Sequence, residues 1–230
     1  MKKIAVVPTR AGEEEWSNPE TTIGKLGNFL KSAGWSPIFV SNAESIFAAH
    51  KKGIGDVQDE DFVILCHDDI EILLDEQRFN EVVDYHLQNE KVGFIGVAGS
   101  SKVGTEIGWY QCATKYGSGK GSAYHGKSVA EMFLSYFGPT GPVVVLDGLF
   151  LAATGKTINS IKIAKPAHIK CTWDWYDFFY CIQAHMRGKE NRAVALPIRH
   201  ESGGRYTELF FSDIPRWKDV LIKHLPFVVR

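Results

Sequence analysis

The chain has 230 residues, with 26 Lys and Arg against 27 Asp and Glu, for a formal net charge of −1. That balance offers no protein-wide field toward a polyanion, which argues against a nucleic-acid scaffold or a polybasic membrane binder. The 44% hydrophobic and 23% charged content excludes a largely disordered chain, and the 22 glycines are a mild excess over the usual ~7%.

In chain order, Met1-Lys2-Lys3 leads into a short apolar run, Ile4 to Val7, closed by Pro8. It is too short for a signal peptide or a membrane span and reads as a first buried strand. Ile23, Leu26, Phe29 and Leu30 share one face of a helix ending at Gly34, and Phe79, Val82, Val83 and Leu87 do the same after Asp75. Ile38–Val40, Phe62–Cys66 and Val92–Val97 are strand-like. Their continuous apolar character favours a parallel sheet covered on both faces by helices. From Gly99 to Lys127 the periodicity fails, and the Gly, Ser, Lys and aromatic content predicts a long functional loop that orders on ligand binding.

Beyond it the pattern predicts a helix over Ser128–Phe137, a strand over Val143–Leu146, a second apolar run over Leu149–Ala152, and a helix from about Asp174 to Arg187. A strand over Ala193–Ile198 follows, then a closing helix over Ser212–Leu225 with Pro215 near its first turn. Nothing divides the chain, so 1–230 is expected to form one α/β domain. Cys66, Cys112, Cys171 and Cys181 make no C-x-x-C pair, which fits reduced thiols in a cytoplasmic protein.

In open α/β sheets ligands bind beyond the carboxyl ends of the strands. The residues at those positions are Thr9-Arg10, Ser41-Asn42, His67-Asp68-Asp69, Asp147-Gly148 and His200-Glu201-Ser202. Adjacent carboxylates at the end of a buried strand repel each other and lose hydration unless a cation or hydrogen-bond donors compensate. Asp68-Asp69 therefore reads either as a divalent-cation site or as a helix N-cap. His200, followed by Glu201-Ser202-Gly203-Gly204, falls on the same predicted sheet edge, and divalent cations that take carboxylate oxygens tolerate imidazole. Asp174 and Asp177, three apart among Trp173, Trp175, Tyr176, Phe178, Phe179 and Tyr180, share a helix face. A carboxylate against aromatic walls tends toward a raised pKa and suits a general base; the other reading is that Asp174 caps the helix and the aromatics are core. No G-x-G-x-x-G follows the first strand and no G-x-x-x-x-G-K-[ST] occurs, which weakens a dinucleotide-binding domain and a P-loop enzyme.

With these elements in order, the chain resembles the GT-A class of nucleotide-sugar glycosyltransferases, in particular bacterial and viral sequences similar to glycosyltransferase family 2. The resemblance rests on Val40 to Ile46, Phe62 to Ile70, Val144 to Leu151, Tyr176-Asp177-Phe178 with Ala184 to Gly188, and Ile198 to Gly204. It implies one GT-A (Rossmann-like) domain with a mostly parallel central sheet flanked by helices, residues 1–100 forming a nucleotide-binding half and 101–230 an acceptor and catalytic half. The implied activity is a metal-dependent inverting transfer, of hexosyltransferase type, from a UDP-sugar or similar donor to a glycan or a lipid- or protein-linked hydroxyl. Polysaccharide biosynthesis is the implied setting, with Mn²⁺ or Mg²⁺ as cofactor. Carried over by residue, Asp69 and His200 would hold the metal and Asp177 would be the catalytic base. Thr9, Arg10, Asn42 and Asp68 would line the nucleotide site, and Asp147, Gly148, Trp173 and Asp174 would face donor sugar or acceptor. The first position of the family's D-x-D is His67 here, a departure that bears on the metal geometry. Two competing readings remain: a nucleotidyltransferase, and a non-catalytic sugar-binding module using Trp109, Tyr110, Trp173 and Trp175 as stacking platforms.

Overall fold

The strand Lys3–Pro8 buries Ala5, Val6 and Val7 completely and pairs in parallel with Ser36–Val40 on one side and Phe62–Cys66 on the other. These strands belong to a seven-stranded sheet in the computed structural model, which describes residues 1–202 and 206–229. Its order is Gly141–Val143, Glu190–Ala193, Val92–Gly96, Phe150–Thr154, Phe62–Cys66, Lys3–Pro8, Ser36–Val40. Side chains alternate across it. Ala5, Val7 and Ile64 meet Leu26 and Leu30 of the helix Thr22–Ser32 and Phe79 and Val83 of the helix Glu76–Leu87. Val6, Val63 and Leu65 meet Phe47 of the helix Ile46–Ile54 and Tyr180 of the helix Tyr176–Met186. The architecture is thus the expected α/β layering.

Phe150–Thr154 runs antiparallel to both of its neighbours, so parallel and antiparallel pairs are mixed in this sheet. A strand buried on both faces is apolar whichever way it runs, so its direction leaves no mark in the composition.

The stretch expected to be a loop between Gly99 and Lys127 is instead mostly regular. Ala98–Ser100, the helix Trp109–Tyr116 and the strand Gly119–His125 occupy it. The strands enter a second sheet ordered Val145–Leu146, Ala98–Ser100, Gly119–His125, Ile198–His200, Ile70–Ile72. The glycines that suggested mobility serve close backbone approach: a Cβ on Gly121, whose φ is +79°, would stand 2.0 Å from the Val97 carbonyl oxygen. The expected helix over Ser128–Phe137 is a 3₁₀ turn, Val129–Glu131, followed by the strand Phe133–Gly138, which pairs with Gly119–His125.

Two expected strands are each divided. The run at Val143–Leu146 breaks at Val144, its first part pairing in the large sheet and Val145–Leu146 in the second. Ala193–Ile198 resolves into the ends of Glu190–Ala193 and Ile198–His200, separated around Pro197, which has no amide to give a ladder. The last helix spans Glu208–Leu221, so Pro215 lies in its interior and not near its first turn. Its start is fixed earlier by Thr207, whose hydroxyl accepts from the Phe210 amide at 3.2 Å. All four cysteines are free and buried. Among the described residues no helix is long and apolar enough to cross a membrane.

Candidate active site

Phe62–Cys66 ends in His67-Asp68-Asp69, where the chain bends before the strand Ile70–Ile72 and neighbouring side chains leave in different directions. Asp68 turns toward the end of the first strand, where the Thr9 hydroxyl donates to its Oδ2 at 2.5 Å. His67 and Asp69 turn the other way, toward His200. His200 ends a strand that pairs antiparallel with Ile70–Ile72 and parallel with Gly119–His125, so the second sheet places it opposite the end of the first. His200 Nε2 stands 3.3 Å and His67 Nδ1 3.8 Å from the same oxygen, Asp69 Oδ1. Ligand atoms of His67, Asp69 and His200 all lie within 4.8 Å of one another.

Burial works to raise the Asp69 pKa, but His200, through its hydrogen bond and charge, followed by the Ser202 side chain, outweighs it and holds the carboxyl well below its usual range; the Ser202 amide also donates to Asp69 Oδ2 at 3.3 Å. Burial, aided by the neighbouring His200, lowers the His67 pKa, although Asp69, Asp147 and Asp68 oppose the shift. A neutral imidazole beside an ionised carboxylate is the state in which both can ligate. Two imidazoles and one carboxylate fit Mn²⁺ better than Mg²⁺, which prefers an all-oxygen shell.

His67 and His200 line a cavity of about 520 Å³ together with Asp147, Gly148, Trp173, Asp174, Tyr176 and Asp177. Trp109, Tyr110, Phe133, Phe137, Tyr206 and Phe210 complete an aromatic wall. Asp69 instead lines an adjoining cavity of about 620 Å³ with Asp68, Thr22, Lys127 and Glu201. The His67–Asp69–His200 cluster therefore sits where the two meet. Among the described residues the second cavity holds Glu15, Glu20, Asp68, Asp69 and Glu201 with Lys127 as the cation, an acidic lining that favours a bound cation.

The helix Tyr176–Met186 begins in an unusual way. Trp175, with φ +70°, turns the chain into it and no side chain caps it, so Asp174 is not the cap; its carboxylate accepts from Cys171 Sγ at 3.0 Å. The strained conformation is held by packing, since the Trp175 ring stacks on Phe210 at 4.1 Å with an interplanar angle of 3°. This start aims Asp177 at the Asp147-Gly148 turn. Asp177 Oδ1 accepts from its neighbour's amide, Phe178, at 2.7 Å, and Oδ2 from the Gly148 amide at 3.1 Å. Burial first, and the negative Asp147 second, push its pKa up to about 7, against the pull of those two amides.

A family model described as a glycosyltransferase-like family matches residues 33–198. The chain belongs to that glycosyltransferase-like family. The matched span of this glycosyltransferase-like chain includes the strand end His67-Asp68-Asp69, the Asp147-Gly148 turn and Asp177, and stops two residues before His200. Among solved structures it is similar to A197 from STIV, at 13% identity and a TM-score of 0.45, over 88% of this chain and 86% of that one. No curated protein matches it.

Of the residues singled out by sequence, Asp147, Gly148, Trp173, Asp174, Asp177 and His200 converge on one cavity, and Asp68 and Asp69 on the other. Thr9 reaches the site through Asp68, and Arg10 lies over the Trp173 ring at 5.8 Å. Asn42 has φ +56°, is exposed and lines neither cavity. Gly203-Gly204 lie outside the described residues. Sequence reasoning missed the ligand geometry of His67, the hydroxyl of Tyr176 and the part of the aromatic wall from Phe133 and Phe137, whereas Trp109 and Tyr110 of that wall are among the aromatics it named as stacking platforms. The alternation of His67 with Asp69 was the available signal for the first. Phe133 and Phe137 left none, because their strand reads as a helix in the sequence.

Proposed function

We propose that this glycosyltransferase-family chain transfers a sugar from a nucleotide-diphosphate sugar, with UDP-sugars the first donors to test, to a hydroxyl acceptor with inversion at the anomeric carbon. The observation that carries the reading is that a carboxylate with its pKa near neutrality, Asp177, and the two imidazoles of a His/Asp/His ligand set, His67 and His200, line one aromatic-walled cavity, with the third member, Asp69, on the adjoining one. His67, Asp69 and His200 would hold Mn²⁺, whose charge offsets that of a diphosphate leaving group.

The remaining work falls to the chain's own side chains. Asp68, fixed by Thr9, offers a carboxylate oxygen to a ribose hydroxyl, and Arg10 with Trp173 forms a flat cationic surface beside the same strand end. The aromatic wall packs the apolar faces of sugar rings. Asp177 takes the proton of the acceptor hydroxyl as that oxygen attacks the anomeric carbon. The bond from that carbon to the diphosphate oxygen breaks, and nucleoside diphosphate leaves. Asp147, whose Oδ1 accepts from the Leu149 amide at 2.8 Å, is held in place to receive a sugar hydroxyl. Free buried cysteines favour a reducing, cytoplasmic setting, and a glycan or a lipid- or protein-linked acceptor fits the same hydroxyl chemistry.

The test is thermal stabilisation by a panel of nucleotide sugars with and without Mn²⁺, followed by an assay of nucleoside diphosphate release. A Mn²⁺-dependent stabilisation with slow donor hydrolysis is expected. Stabilisation without any release would leave a sugar-nucleotide-binding module in place of a transferase, and no stabilisation by any donor would remove the proposal.

A further inference from the structure

The hydroxyl of the buried Tyr176 sits between two groups. It donates to the Gly148 carbonyl oxygen at 2.9 Å, and its oxygen also lies 2.9 Å from His67 Nε2. A hydroxyl carries one proton, and the Gly148 carbonyl carries none. Two oxygens 2.9 Å apart repel unless a proton lies between them, so the phenol proton is committed to Gly148. The remaining contact at the phenol oxygen must then be made by a donor, and among the described residues the other partner there is His67 Nε2. It follows that Nε2 bears the hydrogen of the neutral imidazole. His67 Nδ1 is left with its lone pair, and Nδ1 is the atom that faces Asp69 Oδ1 at 3.8 Å.

We propose that Tyr176 is a positioning residue that locks His67 in its Nε2–H tautomer and thereby makes His67, through Nδ1, a third ligand beside Asp69 and His200. The role rests on the metal-assisted reading above. Gly148 belongs to the same device: a Cβ there would stand 2.2 Å from the Tyr176 hydroxyl oxygen, so only glycine lets that hydroxyl reach the carbonyl. An outer hydrogen bond to a ligating histidine orients the ring and fixes which nitrogen faces the metal, and its loss typically weakens metal binding by about 10- to 100-fold. The lock also accounts for the imidazole at the first position of the D-x-D element. A carboxylate there would face the Tyr176 oxygen with no proton to share, because the phenol's own is spent on Gly148.

The tautomer is measured directly on ¹⁵N-labelled, metal-free wild-type protein from long-range ¹H–¹⁵N correlations of the imidazoles, assigned by the loss of one set in His67→Gln. The expected pattern for His67 is a protonated Nε2 and an unprotonated Nδ1; the opposite pattern overturns the inference without any variant having to fold. Mn²⁺ alone is then titrated by electron paramagnetic resonance into wild type and Tyr176→Phe, which keeps the ring and removes the hydroxyl. A roughly 10- to 100-fold weaker affinity in Tyr176→Phe, with a mixed His67 tautomer, supports the lock. Wild-type affinity in Tyr176→Phe overturns the lock and leaves the metal reading standing, whereas failure of wild type itself to bind Mn²⁺ overturns that reading and the role of the lock together.

Discussion

Gly148 donates its amide hydrogen to Asp177 Oδ2 at 3.1 Å, so the proposed base is fixed by the main chain of the Asp147-Gly148 turn, which contacts the start of the helix bearing it. The same residue meets Tyr176 through its carbonyl. Replacing it by alanine forces a methyl group against the Tyr176 hydroxyl. Gly148→Ala is expected to cost about 1–3 kcal/mol of stability through overpacking, read as a fall of several degrees in Tm, and to weaken transfer and Mn²⁺ binding at once. Unchanged Mn²⁺ affinity alongside lost transfer would show that the turn serves the base alone.

Asp177 acts as a base only when ionised, and burial together with Asp147 raises its pKa to about 7. The rate at saturating donor and acceptor should therefore climb with pH, reach half its limit near pH 7 and level off above. Asp177→Asn should lower the rate about 100- to 10,000-fold and abolish that inflection while donor still stabilises the fold. A pH–rate profile that keeps its inflection in the variant would assign it to another group.

Mn²⁺ present at a hundred times its Kd should stabilise wild type by about 2.7 kcal/mol, seen as a concentration-dependent rise in Tm. Asp69→Ala and His200→Ala should each remove that rise, and Mg²⁺ should produce a smaller one than Mn²⁺ because two of the three donors are imidazoles. An equal response to both ions would argue for a shell made of carboxylates.

Asp213, completely buried in the last helix, accepts from the amides of Lys170 and Cys171 at 2.8 to 3.0 Å and from the Arg216 guanidinium at 3.1 Å. It ties down the segment that carries Trp173 and Asp174 into the cavity. Asp213→Ala leaves the Lys170 and Cys171 amides without their acceptor, and a loss of about 1–3 kcal/mol is expected from denaturant unfolding. Donor affinity should fall in the same variant, since Trp173 loses its anchor.

How much of this was legible in the sequence depends on which physical signal each part leaves. The helices Thr22–Ser32 and Glu76–Leu87 were legible because a 3.6-residue apolar period marks them. The strand end at His67-Asp68-Asp69 was legible as a place for a site because charged residues follow directly on a fully apolar run, although the same pattern also suited a helix N-cap. The second sheet was not. Gly119–His125 has small and polar residues where strands normally carry branched ones, since its neighbours approach too closely for side chains at Gly121. The tautomer of His67 was beyond any sequence pattern, because it follows from a carbonyl and a phenol brought together from positions 28 residues apart.

The break at Val144 has a consequence for how the molecule loosens. One continuous segment, Gly141 to Leu146, is stitched into the large sheet by its first half and into the second sheet by its last, with the Val144 amide bonded to the Ser100 carbonyl at 2.8 Å. Neither sheet can open while the other holds that segment closed. Amide hydrogens of the two sheets should exchange with one shared opening free energy, and native-state exchange would then report a single cooperative unit in which the base and the ligand cluster are lost together.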